Sequence, residues 1–214
     1  MSGQERIRVL IVEDDPDWIK AMTAFLNKEQ DLIVVGAAMT QDEALQLAQT
    51  INYDIVLMDI QLAEHGLEGI YTALELHRIQ AAKIIMLTSL TDEAVMTQAF
   101  SAGALNYLEK ARFRELPQAI RSAHYHPEAM QALLKELQRL KREEQLASLT
   151  GAEREVFELI ETGHTQSQIE KKLFKAESTI KNQVNKLLKK LGVRSSKEAL
   201  EKVRRNGLPE QRNE

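Results

Sequence analysis

Residues 6–15 read RIRVLIVEDD, an aliphatic run over Arg8–Val12 that ends directly in three acidic residues. A second run, Ile55–Met58, ends in the same way in Asp59. Runs in which nearly every residue is apolar are typical of strands covered on both faces, as in a parallel sheet. Three further β-rich runs complete a predicted five-stranded sheet: Leu32–Ala37, Lys83–Leu87 and Leu105–Leu108.

The segments between these runs have helical periodicity, so strands and helices alternate along residues 1–125. This alternation predicts an α/β domain built around a parallel sheet. Trp18 falls in the first of these helices, where we expect an ordinary surface or core contact.

Residues 126–148 are predicted to be a helical linker, because Pro127 stands where a helix would begin and residues 128–150 contain neither Gly nor Pro. Apolar residues recur along it at intervals of three and four, which predicts either a seam that pairs with a second copy or one amphipathic helix lying on a single domain. The seam residues are Met130, Leu133, Leu137 and Leu140.

Residues 149–207 show no strand pattern and are predicted to form a small all-α domain. Three helix starts carry a hydroxyl residue followed three positions later by Glu or Gln, the reciprocal capping pattern. These pairs are Thr150 with Glu153, Thr165 with Gln168, and Ser195 with Glu198, and the expected helix-ending glycines are Gly163, Gly192 and Gly207. Residues 208–214 are predicted to be a disordered polar tail.

The charge is divided unevenly along the chain. Residues 1–125 carry a net charge of −8 and residues 149–214 carry +4, although the whole chain is only −4. An acidic module joined to a basic one indicates two partners of opposite sign, and nucleic acid is the natural partner for the basic end, although a solvated basic surface is the plain alternative.

Cysteine is absent, which excludes disulfides, thiolate metal sites and cysteine nucleophiles. The apolar runs are too short for a spanning helix and residues 1–20 lack a signal-peptide core, so we expect a cytoplasmic protein with no membrane partner.

Polar residues follow four of the five predicted strands. Glu13 and Asp14 follow the first strand and Asp59 the third, at the sheet edge where ligands bind in α/β folds. Carboxylates so close together repel one another unless a hard cation compensates, which predicts a Mg²⁺ (or Mn²⁺) site. Thr88 and Ser89 end the fourth strand and Lys110 follows the fifth, a hydroxyl and an ammonium suited to phosphoryl oxygens.

The segments VLIVEDDP, DIVLMDIQL, IIMLTS and GALNYLEK resemble the receiver domain of two-component response regulators, which has a flavodoxin-like fold. The resemblance implies that Asp59 accepts a phosphoryl group from a sensor histidine kinase. It also implies that Asp14 binds Mg²⁺ directly, Glu13 through water and Gln61 through its backbone carbonyl. Thr88 and Lys110 would contact the phosphoryl oxygens, and Tyr107 would be the aromatic residue that moves with Thr88. Residues 62–69, LAEHGLEG, depart from the family loop, being longer and lacking its proline.

A short helix, Gln166–Phe174, and a longer one ending at Leu191 are predicted on either side of a tight connection, Lys175–Glu177. The longer helix has one apolar face and one face of amides and ammonium groups, which suits the major groove of DNA. A solvated helix face of the same composition is the alternative.

The segments LTGAEREVFELI, GHTQSQI and STIKNQVNKLLKKLGV are similar to the LuxR-type helix-turn-helix of the NarL/FixJ class of response regulators. The similarity implies that the longer helix contacts double-stranded DNA. Lys181 and Gln183 would face bases or nearby phosphates, and Ser178, Thr179, Asn182 and Lys186 would support contacts to the DNA backbone. Glu170 replaces a small residue of the family and Ala176 replaces a capping hydroxyl, whose loss costs about 1 kcal/mol.

Together the two resemblances predict a response regulator that controls transcription and forms a homodimer on activation. It would not be an enzyme, apart from Mg²⁺-dependent phosphorylation and dephosphorylation of its own receiver. Glu170 and Ala176 leave open a protein- or RNA-interaction module with a degenerate helix-turn-helix. A phosphatase would need a second catalytic residue, and the sequence offers none.

Overall fold

The computed structural model describes residues 5–62, 66–80, 82–89, 92–205 and 208. The chain divides into two compact units, and the boundary lies between Lys135 and Glu136. Gly207 and residues 209–214 lie outside the described residues, as do residues 63–65 of the unusual loop. Within the described ranges, no helix combines the length and the apolar character needed to cross a membrane.

The first unit is built on a five-stranded parallel sheet, as predicted. Its strands are β1 (Ile7–Val12), β2 (Leu32–Ala38), β3 (Ile55–Asp59), β4 (Lys83–Thr88) and β5 (Asn106–Glu109), in the order β2-β1-β3-β4-β5. All five residues of β3 are buried, which explains why its sequence is apolar up to Asp59.

Helices alternate with these strands. They are α1 (Pro16–Leu26), α2 (Gln41–Thr50), α3 (Glu68–Ile79), α4 (Glu93–Ser101) and α5 (Leu116–Tyr125), with a 3₁₀ helix over Lys110–Glu115 before α5. One face of the sheet packs with α1 and α5: Ile11 and Leu57 share a core with Leu26 and Ile120. The carboxyl ends of β1, β3, β4 and β5 therefore open on the loops that carry the predicted site residues.

The predicted linker is the helix α6 (Glu128–Leu146), but it is not a body of its own. Its first part belongs to the first unit, where Leu134 is buried in the sheet core and Met130 packs against that core. Its last part belongs to the second unit, where Leu146 is buried. Of the predicted seam residues, Leu133 is 65% exposed and Leu140 is 52% exposed.

The second unit continues with α7 (Gly151–Glu161), α8 (Gln166–Leu173), α9 (Glu177–Leu191) and α10 (Ser196–Arg204). Its core includes Phe157, Ile169, Ile180 and Leu187. The capping boxes at α7 and α8 form as predicted, and the Ser195 side chain accepts from the Glu198 N–H at α10. Leu208, the first residue of the predicted tail, is buried, so the prediction of disorder is wrong for this residue.

Two residue conformations mark the helix ends of this unit. Gly192 ends α9 in the left-handed region at φ 68°, as its sequence position predicts. Phe174 ends α8 in the same region at φ 52° and is the only non-glycine residue with positive φ among the described residues. The sequence pattern predicts that this helix includes Phe174, which is one residue too long.

Candidate phosphoacceptor site and nucleic-acid interface

Three carboxylates meet at the carboxyl edge of the sheet. Glu13 and Asp14 directly follow β1, and Asp59 is the last residue of β3, which pairs with β1. One oxygen from each carboxylate lies within 4.8 Å of the others. Glu13 and Asp59 are buried while Asp14 is exposed, so the cluster has one side open to solvent. These residues could hold a metal ion, since clustered carboxylate oxygens are the ligands that hard cations prefer.

The Lys110 ammonium group lies against the two buried carboxylates. Lys110 comes directly after β5, and its Nζ lies 2.6 Å from Glu13 Oε2 and 2.9 Å from Asp59 Oδ2. One ammonium cannot balance three carboxylates. The site therefore keeps a negative charge that a cation would neutralise.

Burial controls the titration of these groups. It raises the pKa of Glu13 to about 7, an effect that the Lys110 ammonium opposes and the Asp59 charge reinforces. Burial also raises the pKa of Asp59, again against the effect of Lys110. For Lys110, burial alone would lower the pKa, but its bonds to Glu13 and Asp59 outweigh burial and raise it.

Thr88 and Tyr107 lie on the neighbouring strands β4 and β5. Thr88 is completely buried at the end of β4, and its side chain is hydrogen-bonded to the half-buried Tyr107. Ser89, the next residue, is exposed. The pair predicted to move together is therefore in contact.

The backbone that follows Asp59 is closely packed. The backbone N–H groups of Ile60 and Gln61 act to lower the pKa of Asp59, against the effect of burial. The Ile60 N–H itself donates to the Leu87 carbonyl oxygen at 3.1 Å. Gly69, at the start of α3, lies so close to the Asp59 backbone that a Cβ at this position would be 1.7 Å from the Asp59 carbonyl oxygen. Glycine is therefore required at position 69 by a close approach of two backbone segments.

Trp18 lies beside this site, which the sequence pattern does not predict. The Lys110 Nζ is 5.2 Å from the centroid of the Trp18 ring, within the range of a cation–π interaction. Trp18 and Lys110 lie close together because α1 begins directly after the loop that carries Asp14, and Lys110 follows β5 at the same edge of the sheet. The sequence feature that could have indicated this contact is a bulky aromatic residue four positions after Asp14.

The second unit presents the predicted DNA-contacting residues on α9. Ser178, Thr179, Lys181, Asn182 and Lys186 are exposed, on the side opposite Ile180, Val184 and Leu187, which are buried. Gln183 is half-buried, and its Oε1 is buried without a hydrogen-bond partner among the described residues. Its amide is therefore only partly presented to a base.

The start of α9 lacks a side-chain cap, as the sequence predicts. Ala176 has the extended backbone of a capping residue, but its methyl side chain makes no capping hydrogen bond. Glu170 is half-buried on α8, and its carbonyl oxygen accepts from the N–H groups of Phe174 and Lys175. The helix pair thus forms with Glu170 and Ala176 in place.

The two units together define a class of protein: an α/β domain with an acidic cluster at its sheet edge, followed by a helix-turn-helix domain. Residues 9–121 match the response regulator receiver domain, and residues 147–203 match the bacterial regulatory proteins of the luxR family. The chain belongs to the family of two-component response regulators, as a receiver joined to a LuxR-type DNA-binding domain.

The matches to individual relatives cover nearly the whole chain. The chain is 33% identical to the transcriptional regulatory protein LiaR of Bacillus subtilis, over 94% of this chain and 99% of LiaR. It is 31% identical to the transcriptional regulatory protein DesR of the same organism, over 94% of this chain and 98% of DesR. The RcsB response regulator of Salmonella typhimurium has the same fold over 92% of this chain and 97% of its own, with a TM-score of 0.51 and 22% identity.

Proposed function

We propose that Asp59 accepts a phosphoryl group from a sensor histidine kinase and that this event controls the binding of the second unit to DNA. The observation that carries the proposal is the meeting of Asp59 with Glu13, Asp14 and Lys110 at one edge of the sheet. We take Mg²⁺ as the cation of this site, held by Glu13, Asp14, Asp59 and the backbone carbonyl of Gln61. When bound, the ion supplies neutralisation of the negative charge at the reacting oxygens.

The transfer is a substitution at phosphorus. An Asp59 carboxylate oxygen attacks the phosphorus atom, and the bond between phosphorus and the donor nitrogen breaks. The electron pair of that bond leaves with the donor, which takes up a proton. Lys110 and the Thr88 hydroxyl stabilise the phosphoryl oxygens, so the protein contributes positioning and charge rather than a general base.

Phosphorylation with a small donor tests the first step. Incubation with phosphoramidate and Mg²⁺ should add one phosphoryl group to the full chain, as measured by intact mass, and Asp59→Asn should add none. Asp42→Asn, which removes an exposed carboxylate on α2, is the matched control and should be labelled like the natural protein. Labelling of Asp59→Asn at the natural rate would exclude Asp59 as the acceptor.

For the second unit we propose binding to duplex DNA through α9. The exposed Lys181 and Lys186, the open amide of Asn182 and the net charge of +4 over residues 149–214 support this. Genomic sites should first be selected with phosphorylated full-length protein. Lys181→Ala should then weaken binding and reduce the slope of log affinity against log salt by about 1.

Lys20→Ala is the control for that measurement, because Lys20 is an exposed lysine on α1 of the first unit. It should leave the slope unchanged. An equal loss in both variants would indicate nonspecific charge. Saturable binding to RNA or to a protein with no affinity for DNA would favour an interaction module, the alternative raised by Glu170 and Ala176.

We also propose that the activated protein forms a homodimer through α6. Leu133 and Leu140 are seven residues apart, and each is more than half exposed. Leu137 between them is half-buried, whereas Met130 is already packed against the first core. We therefore propose that Leu133, Leu137 and Leu140 form the seam between the two copies and that Met130 contributes little to it.

A further inference from the structure

The Lys110 ammonium has one neighbour that carries no charge. Besides its contacts with Glu13 and Asp59, its Nζ lies 5.2 Å from the centre of the Trp18 ring. An ammonium has three N–H donors, and two carboxylates engage it here. The face of the indole attracts the cation without competing for a metal ion or accepting a phosphoryl group.

The ring is held in this place by the acidic loop itself. Asp15, which follows Asp14, caps α1 by accepting hydrogen bonds from the N–H groups of Asp17 at 2.9 Å and Trp18 at 3.2 Å. The Trp18 side chain is half-buried and packs against the core of the first unit. The position of the indole is therefore tied to the turn that carries Glu13 and Asp14.

Phosphorylation changes the partners of Lys110. Once a phosphoryl group is bonded to Asp59, the ammonium must move from the free carboxylate towards the phosphoryl oxygens, and a cation at Glu13 and Asp14 competes for the other carboxylate. The indole takes part in neither change. It can attract the ammonium both before and after transfer, which keeps the cation at the reacting atoms.

We propose that Trp18 is a positioning residue for phosphoryl transfer, which holds the Lys110 ammonium at the site while its anionic partners change. This inference rests on the proposed phosphorylation of Asp59. Since Trp18 is the only tryptophan of the chain, its fluorescence is a probe of the surroundings of Lys110 at this edge of the sheet.

Three variants of the full chain separate this role from simple packing. Trp18→Leu removes the aromatic face and keeps an apolar side chain, whereas Trp18→Phe keeps an aromatic face. Ile19→Val, at a neighbouring half-buried position that packs against the same core, is the control for weakened packing. The initial rate of phosphorylation by phosphoramidate with Mg²⁺ is measured for each, together with thermal unfolding.

Trp18→Leu should be phosphorylated about two- to five-fold more slowly than the natural protein, the effect expected of one partly exposed cation–π contact. Trp18→Phe should recover most of the rate, and Ile19→Val should match the natural protein. Equal rates for Trp18→Leu and the natural protein would overturn the inference, and so would equal losses in the Leu and Phe variants.

A second measurement needs no substitution at Trp18. Emission of the natural protein should differ from that of Lys110→Met, which lacks the cation beside the ring, both before and after the site is loaded with beryllofluoride as a phosphoryl substitute. A difference that disappears on loading would also overturn the inference, because the indole would then have lost the ammonium. If mass measurement shows no phosphoryl group on the natural protein, the proposed function fails instead, so the two failures are distinguishable.

Discussion

At the scale of single residues, the buried carboxylate of Glu13 makes the stability of the first unit depend on pH. Its folded-state pKa is about 7, raised mainly by burial, whereas the unfolded chain has the ordinary value near 4.5. Between these values the folded state keeps a proton that the unfolded state has lost. The free energy of unfolding contributed by Glu13 is therefore fully present below the lower pKa and is lost as pH rises through the higher one.

Glu13→Gln should consequently stabilise the protein in the absence of divalent ions. The glutamine cannot ionise, so above neutral pH the variant should exceed the natural protein by about 1–3 kcal/mol, and the difference should shrink as the pH falls towards the unfolded pKa. Denaturant unfolding in a chelating buffer measures this, with Asp42→Asn as the exposed-carboxylate control. A difference that does not depend on pH would contradict the assignment.

Phe174 is a second residue whose effect on the free energy of unfolding can be measured. Phe174 is 96% exposed and its φ is 52°, so it buries almost no apolar surface and occupies a backbone region unfavourable for residues with a Cβ. We expect Phe174→Gly to be more stable than Phe174→Ala by about 0.5–1 kcal/mol, because glycine adopts positive φ without steric cost. Thermal unfolding compares the two. Equal stability would mean that the backbone at residue 174 carries no strain.

At the scale of elements, the start of α9 can be stabilised by adding a capping side chain. Ala176 already has the backbone conformation of a capping residue, at φ −67° and ψ 149°, but offers no acceptor. Ala176→Ser should therefore stabilise the second unit by about 0.5–1 kcal/mol. Thr165→Ala, which removes the cap that α8 does have, should destabilise it by about 1 kcal/mol. Chemical denaturation of both variants should show a higher free energy of unfolding for Ala176→Ser and a lower one for Thr165→Ala.

The helix α6 leads to a prediction about assembly. If Leu133 and Leu140 pack against a second copy, replacing both by Glu should raise the dissociation constant of the phosphorylated dimer by about tenfold or more, because their apolar surface would no longer be buried between the two copies. Gln131→Glu adds charge at an exposed position of the same helix and should have no such effect. Sedimentation of the phosphorylated proteins measures the constants. An unchanged constant in the double variant would exclude this seam.

The elements themselves could be predicted closely because their sequences repeat one physical pattern. Strands buried on both faces must be apolar along their length, and this pattern alone places Asp59 at a strand end. The cap pairs likewise mark where α7, α8 and α10 begin. The observed strand boundaries differ from the predicted ones by a residue or two, because the last residues of some strands, such as Asp59 and Thr88, are polar yet buried.

Contacts between distant side chains were not predictable in the same way. The ion pair of Glu13 with Lys110 and the approach of Trp18 to Lys110 depend on which way each side chain turns at the sheet edge. Periodicity carries no information about such directions. The positive φ of Phe174 was missed because glycine is the ordinary sequence mark of that conformation.

At the scale of the whole molecule, the two units have separate cores. If a cation binds at Glu13, Asp14 and Asp59, as we propose, it should stabilise the folded first unit by mass action. We expect Mg²⁺ to slow hydrogen exchange of amides in β1 and β3 and to leave α7 to α10 unchanged. Mass spectrometry of exchanged peptides, with Asp14→Asn as the variant that lacks one ligand, measures this. Equal protection of α7 to α10 would show that the ion acts elsewhere.

The approach of Gly69 to the Asp59 carbonyl oxygen limits how this protein can diverge. Any side chain at position 69 would displace the backbone of Asp59, so the end of the loop that enters α3 has a single permitted residue. Any change of loop length that keeps Gly69 in place would therefore leave the Asp59 carboxylate in register with the sheet.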